Sequence, residues 1–193
     1  TQKMNIQKLE NDPRSFQIFS GLLAAENIKV IHEPTISTAG FDVTKRILYL
    51  PVWKNISEHL YCLFIGHEVG HALFTPKESI EHFKDQTLKY CVNVIEDVRI
   101  DKLIQTAYPG LKVDYKVGYK ELYDKKFFGV DQSNVASKSL LDRLNVHFKV
   151  KNSVELDVPF DEVEQKFVKK IDNCVSFESV VAVAKELCKY LNE

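Results

Sequence analysis

The segment LFIGHEVGHALFTP, Leu63 to Pro76, places two of the chain's six histidines four residues apart on a stretch otherwise built from Leu, Phe, Ile, Val and Ala. So apolar a stretch has to be buried, and a buried imidazole needs a partner, because an unsatisfied polar group in a core is costly. Two partners are available: carbonyls or carboxylates of the core, or a metal ion. Residues i and i+4 of a helix lie one turn apart on one face, so both rings can reach a single ion. His67-Glu68-Val69-Gly70-His71 is HExxH. Glu68 is rotated about one helical step from His67, where a carboxylate can reach a water on the ion without ligating it, and can serve as general base. Zinc suits this set, since catalytic zinc takes three protein ligands, leaves one position open and draws the pKa of a water toward ~7.

From the chain's own His and Glu frequencies, the pattern arises by chance about once or twice per hundred such chains, so its context has to carry it. Ser57 is an N-cap candidate, and Leu60, Phe64, Val69 and Leu73 mark a helix over residues 58–74 that Thr75-Pro76 stops. Gly70, just before the second histidine, lets another segment come close.

A third ligand is required. One class of HExxH enzymes would put a histidine six residues after His71 and a methionine turn further on; position 77 is Lys77 and the only methionine is Met4. Another class takes a carboxylate from a later helix, and NVIEDVRID offers Glu96 and Asp97, 25 and 26 residues after His71. With ~100° per residue only one of the two can point at the site. Glu96 is the preferred ligand, with Asp97 then accepting from a ligand His Nδ1–H or pairing with Arg99. The reverse assignment has its own logic, because Asp101, one turn beyond Asp97, would orient a ligand imidazole.

Around these motifs the sequence predicts a helix over 14–26, a strand over 28–32, and a hairpin of strands 36–43 and 46–52 turning at Asp42 to Lys45. Further helices are expected over 79–106, over the aromatic-rich stretch up to Phe128, and over 137–148, 161–171 and 176–191. Strands first and helices after is an α+β order. In 193 residues with 45% hydrophobic and 27% charged content, this is an ordinary globular composition. A net charge of −1 provides no field for nucleic acid or anionic lipid. The polar first fifteen residues have no signal-peptide pattern, and no apolar run reaches the ~18 residues of a membrane span. Cys62, Cys91, Cys174 and Cys188 sit in apolar segments without CxxC spacing, which predicts free thiols in a cytoplasmic setting.

The remaining candidates have weaker patterns. His32, His59, His82 and His147 share no ligand spacing and read as core or surface residues, and Trp53 reads as packing. Tyr108, Tyr115 and Tyr119 are either oxyanion donors or packing aromatics. Ser37-Thr38-Ala39-Gly40 is either an ordinary edge or a strand left open for an extended peptide.

With these motifs in place, the chain resembles the gluzincin side of the zincin metallopeptidases, and more narrowly the metallopeptidases of large tailed bacteriophages. In those proteins a GHExGHA…TP helix is followed by N-x-x-E-D-x-R and then YPGL…GY; here they read GHEVGHALFTP, NVIEDVRI and YPGLKVDYKVGY. The resemblance spans residues 36 to 128. Relatives are described as similar to the CobT subunit of cobaltochelatase and can carry a von Willebrand A module, whose DxSxS motif this chain lacks. The resemblance implies a zincin-like α+β domain over 1–130, with a small antiparallel sheet packed on the HExxH helix and a third-ligand helix. A helical extension over 131–193 would pack on the same core. It further implies one zinc held by His67, His71 and Glu96, Glu68 as general base, and a protein or peptide substrate in the cytoplasm of an infected bacterium. The alternative it carries is a metal-containing interaction domain that works with an AAA+ ATPase and has little peptidase activity.

Overall fold

A computed structural model describes residues 26–193 except 38, 43, 53–55 and 77–82. The helix expected over 14–26, apart from Glu26, lies outside these residues, as do Thr38, Trp53, His82 and the expected start of the next helix at Ser79.

Among the described residues the fold is α+β, with three short strands followed by six helices. Strands β1 (Lys29–His32), β2 (Gly40–Asp42) and β3 (Ile47–Leu50) form one sheet in the order β1-β3-β2. β2 and β3 make the expected hairpin, with Phe41 opposite Leu48. The sheet is mixed rather than antiparallel, because β1 pairs parallel to β3, with Val30 opposite Leu48. β3 takes the centre because alternate side chains, Leu48 and Leu50, are fully buried, while its backbone hydrogen-bonds on both sides.

Helix α1 (Glu58–Phe74) begins where Ser57 Oγ accepts from the Leu60 N–H and ends at Thr75, whose N–H donates to the His71 carbonyl. It is apolar on nearly every side, as a helix enclosed by neighbours must be. Leu60, Cys62, Leu63, Ile65 and Val69 join Leu48 and Leu50 of the sheet in one core cluster. Helix α2 (Gln86–Ala107) starts later than expected because Asp85 caps it, accepting from the Thr87 and Leu88 N–H groups. Helix α3 (Leu111–Asp124) follows the Tyr108-Pro109-Gly110 break and closes the first core with Leu111, Tyr115, Tyr119 and Leu122.

Small residues set the helix spacing. A Cβ added at Gly118 of α3 would stand 2.9 Å from Leu63 Cδ1 and 3.3 Å from the His59 carbonyl, and one at Gly70 would stand 3.1 Å from Ile100 Cδ1 of α2. Gly70 therefore does admit a neighbouring segment, and that segment is α2.

After a 3-10 turn at Val135–Ser137 come α4 (Leu140–Val150), α5 (Glu162–Asp172) and α6 (Phe177–Leu191). Asp161 and Ser176 each close a capping box at the start of α5 and α6. These three helices bury Leu144, Phe167, Ile171, Val180, Ala184 and Leu187 against Cys91, Val92, Ile95 and Val98 of α2. Helix α2 thus serves two cores, one with α1 and the sheet, the other with the carboxy-terminal helices. All four cysteines are buried and free. Among the described residues no helix is long and apolar enough to cross a membrane.

Candidate metal centre

Three pairs of polar residues, each spaced i and i+4, meet where α1, α2 and α3 pack: His67 with His71, Asp97 with Asp101, and Tyr115 with Tyr119. One turn of helix separates the members of each pair, so each pair presents two side chains to the same space.

His67 Nδ1 lies 2.9 Å from Asp101 Oδ1. The same carboxylate accepts from Tyr115 Oη at 3.1 Å and Tyr119 Oη at 2.6 Å. Burial and the neighbouring Asp101 push both phenols well above the ordinary tyrosine value, so they remain donors. Asp101 can only accept, so the proton on the imidazole sits on Nδ1 and leaves Nε2 facing inward.

His71 is fixed in the same sense by other means. Its Nδ1 lies 3.0 Å from Thr75 Oγ1, and the Thr75 hydroxyl gives its single proton to Glu96 Oε1 at 2.8 Å. The Thr75 oxygen must then accept from His71 Nδ1–H, and His71 Nε2 also faces inward.

Both Nε2 atoms point at one oxygen. Asp97 Oδ1 is 2.9 Å from His71 Nε2 and 3.4 Å from His67 Nε2. His67, His71 and Asp97 are the one group of three or more His, Cys, Asp or Glu among the described residues whose donor atoms cluster tightly, all within 4.8 Å of one another. Two imidazole lone pairs and a carboxylate oxygen are all acceptors, so the set is unsatisfied without a cation. A proton is the smallest that serves. Burial opposes a charged His67, yet Asp97 and Asp101 beside it raise its pKa from 6.5 to about 9. Burial would also raise Asp97, but His67, Lys149 and His71 around it hold that carboxyl well below the usual carboxylate range. A divalent ion with nitrogen and oxygen preference fits this donor set.

Glu96 is the carboxylate expected from the sequence beside the two imidazoles; the side chain that lies against their Nε2 atoms is Asp97. Glu96 is fully buried and turned the other way, receiving Arg99 Nε at 2.9 Å and Arg99 Nη2 at 2.5 Å on its two oxygens. Arg99 in turn donates to the Phe74 carbonyl at 2.8 Å, which ties α2 to the end of α1. Asp101, one turn beyond Asp97, lies against the His67 imidazole, as the other assignment of the two carboxylates would have it. Glu68 is half-buried and makes no hydrogen bond or ion pair among the described residues. Burial pushes its carboxyl up, and the nearby His67 and His71 oppose that shift.

Two contributors had no place in the sequence reading. Thr75 was legible only as a helix stop, although a hydroxyl four residues after His71 was the available signal. Lys149 of α4, whose Nζ is 3.2 Å from Asp97 Oδ2, had none, because nothing local connects it to α2. The weaker candidates lie elsewhere: His32 bonds Tyr61 Oη at 2.8 Å, His59 pairs with buried Asp114 at 2.8 Å, and His147 packs edge-on to Phe148 and Phe160. Tyr115 and Tyr119 direct their hydroxyls to Asp101, and Tyr108 packs against the first core.

No protein-family model, no curated protein and no solved structure matches the chain.

Proposed function

We propose that the chain is a zinc-dependent metallopeptidase of the zincin type, with His67, His71 and Asp97 as metal ligands and Glu68 as general base. One observation carries the reading: two imidazoles whose Nδ1–H groups are both committed outward turn their Nε2 atoms onto one carboxylate oxygen, beside an unengaged glutamate. When bound there, zinc supplies Lewis acidity toward a water and a substrate carbonyl. Glu68 takes a proton from the attacking water and returns it to the leaving amine. Its burial favours the neutral carboxylic acid and so strengthens the carboxylate as a base.

Among the described residues the cluster offers three donors, a number that favours catalysis over a purely structural metal. A scaffold domain serving an AAA+ ATPase would close the site with a fourth protein ligand and would have no use for Glu68. Strand β2 is one of the two edges of the sheet, and a Cβ built at Gly40 would meet nothing within 4 Å among the described residues, so an extended peptide would pair there. The resemblance to phage metallopeptidases implies a substrate among the proteins of the infected cell's cytoplasm.

The test is metal content by mass spectrometry on protein purified without added metal, followed by hydrolysis of an unfolded protein substrate. Near one zinc per chain in wild type, none in His71→Ala, and turnover lost in zinc-loaded Glu68→Gln is the expected result. A wild-type protein that stays metal-free even with added zinc removes the proposal, and so does a Glu68→Gln variant that cleaves at the wild-type rate.

A further inference from the structure

A pocket of about 420 Å³ is lined by residues of α2, α3, α4 and the stretch just after α4, with Asp97 in its wall. Its lining includes five lysines, 102, 112, 116, 149 and 151, against two aspartates, 97 and 101. On a chain whose net charge is −1 this is a concentrated positive site.

The two aspartates offset only part of it. Asp97 Oδ2 is met by Lys149, and both oxygens of Asp101 are occupied by His67, Tyr115 and Tyr119. Lys102 and Lys151 share Asp172 at 2.7 and 3.2 Å. Lys112 and Lys116 are left. They are exposed, one turn apart on α3, and make no ion pair or hydrogen bond among the described residues. Asn145 and Asn152, also in the lining, add amide donors that are likewise uncommitted among the described residues.

The pocket and the candidate metal centre share Asp97. Its Oδ1 faces the imidazoles and its Oδ2 faces Lys149 in the pocket wall. The pocket therefore adjoins the metal position. We propose that this pocket is a specificity site that takes an acidic side chain of the protein substrate, an Asp or Glu near the bond to be cleaved. Lys112 and Lys116 receive its carboxylate, and Asn145 and Asn152 donate to it. The cleavage step rests on the peptidase reading above; the acidic preference can be measured without it.

The experiment measures fluorescence anisotropy with zinc-loaded Glu68→Gln protein and two labelled peptides that differ only in central Glu-Glu against Gln-Gln. Charge-assisted hydrogen bonds are stronger than neutral ones, so the Glu peptide should bind about tenfold tighter or better. Lys112→Glu with Lys116→Glu removes that difference. Lys120→Glu, on the same helix but paired with Asp124 outside the pocket, leaves it intact. The two pocket lysines are exposed, so their substitution spares the fold, which a thermal melt verifies. Equal binding of the two peptides overturns the proposal, as does a preference that survives the double variant. Saturation by inorganic phosphate with no response to the Glu peptide also overturns it, because the occupant would then be a free anion. Acid-selective binding without cleavage by wild type keeps the pocket and removes the peptidase reading; cleavage of both peptides at equal rates does the reverse.

Discussion

The Thr75 hydroxyl accepts a hydrogen bond from His71 Nδ1 at 3.0 Å because its own proton is committed to Glu96. Glu96 thus acts on the candidate metal centre without facing it. Through one hydroxyl it selects the tautomer of His71, while its charge is balanced by Arg99. Replacing Thr75 with valine keeps the shape and removes the acceptor. Zinc affinity, measured by competition with a chelator, should fall by about 10–100-fold, while one zinc per chain still binds at saturation. Thr75→Ser should retain most of the wild-type affinity. Wild-type affinity in Thr75→Val would mean that the hydroxyl does not set the tautomer.

Adjacent carboxylates on α2 should fail in different ways. Asp97→Ala removes a donor and should abolish tight zinc binding. Glu96→Ala leaves Arg99, which is 6% exposed, without its counter-charge, and should cost roughly 3–5 kcal/mol in denaturant unfolding of the zinc-free protein. Changing Arg99 to methionine in the same chain should recover much of that loss. The opposite pattern, with Glu96→Ala stable but metal-free, would return the ligand role to Glu96.

Zinc-free protein should lose stability as pH rises. The His67 pKa goes from 6.5 to about 9 on folding, so its contribution is complete below pH ~6.5 and gone above ~9. At ~1.36 kcal/mol per unit the loss is at most about 3 kcal/mol. Asp97 works at the other end: its lowered pKa stabilises the fold above the ordinary carboxylate range, and that contribution fades as pH falls. Zinc has to displace the His67 proton, so its affinity should climb with pH up to about 9. Unfolding with chelator at pH 6.5 and 9.5 tests this, with His67→Gln expected to flatten the dependence. Equal wild-type stability at both values would show that the two aspartates do not hold the imidazole charged.

Gly118→Ala tests the spacing of α1 and α3. The new methyl meets Leu63 and, at 3.3 Å, the His59 backbone, which cannot swing aside as a side-chain end can. A loss of about 1–3 kcal/mol is expected from this overpacking, read by equilibrium unfolding. Zinc binding should weaken with it, because α3 carries Tyr115 and Tyr119 to Asp101. A stability equal to wild type would mean that the two helices separate freely.

Much of the architecture was written locally. Ser57 and Thr75-Pro76 bound α1 as expected, and α5 and α6 begin at Asp161 and Ser176 because capping is settled within four residues. Where local signals compete, the boundaries shift: the helix expected over 137–148 starts at Leu140 behind a Ser139 cap, with Ser137 in a 3-10 turn, and α2 starts behind its Asp85 cap. The parallel pairing of β1 with β3 had no local signature, since strand neighbours are chosen by long-range burial of Leu48 and Leu50.

The candidate site divides along the same line. His67, Glu68 and His71 were legible because an i, i+4 pair on a helix owes its geometry to the helix alone. Whether Glu96 or Asp97 faces them depends on how α2 is rotated against α1, and neighbouring residues differ by ~100° in that rotation. Contacts between the helices decide it: Ile100 against Gly70, Arg99 on the Phe74 carbonyl, and Asp101 on His67 and the two tyrosines of α3. Lys149 arrives from α4 only because α2 is packed on both sides. The sequence by itself determined the chemistry of the HExxH helix, since that chemistry is local; tertiary packing decided the third carboxylate and the pocket behind it, since a helix's rotation is fixed by what packs against it.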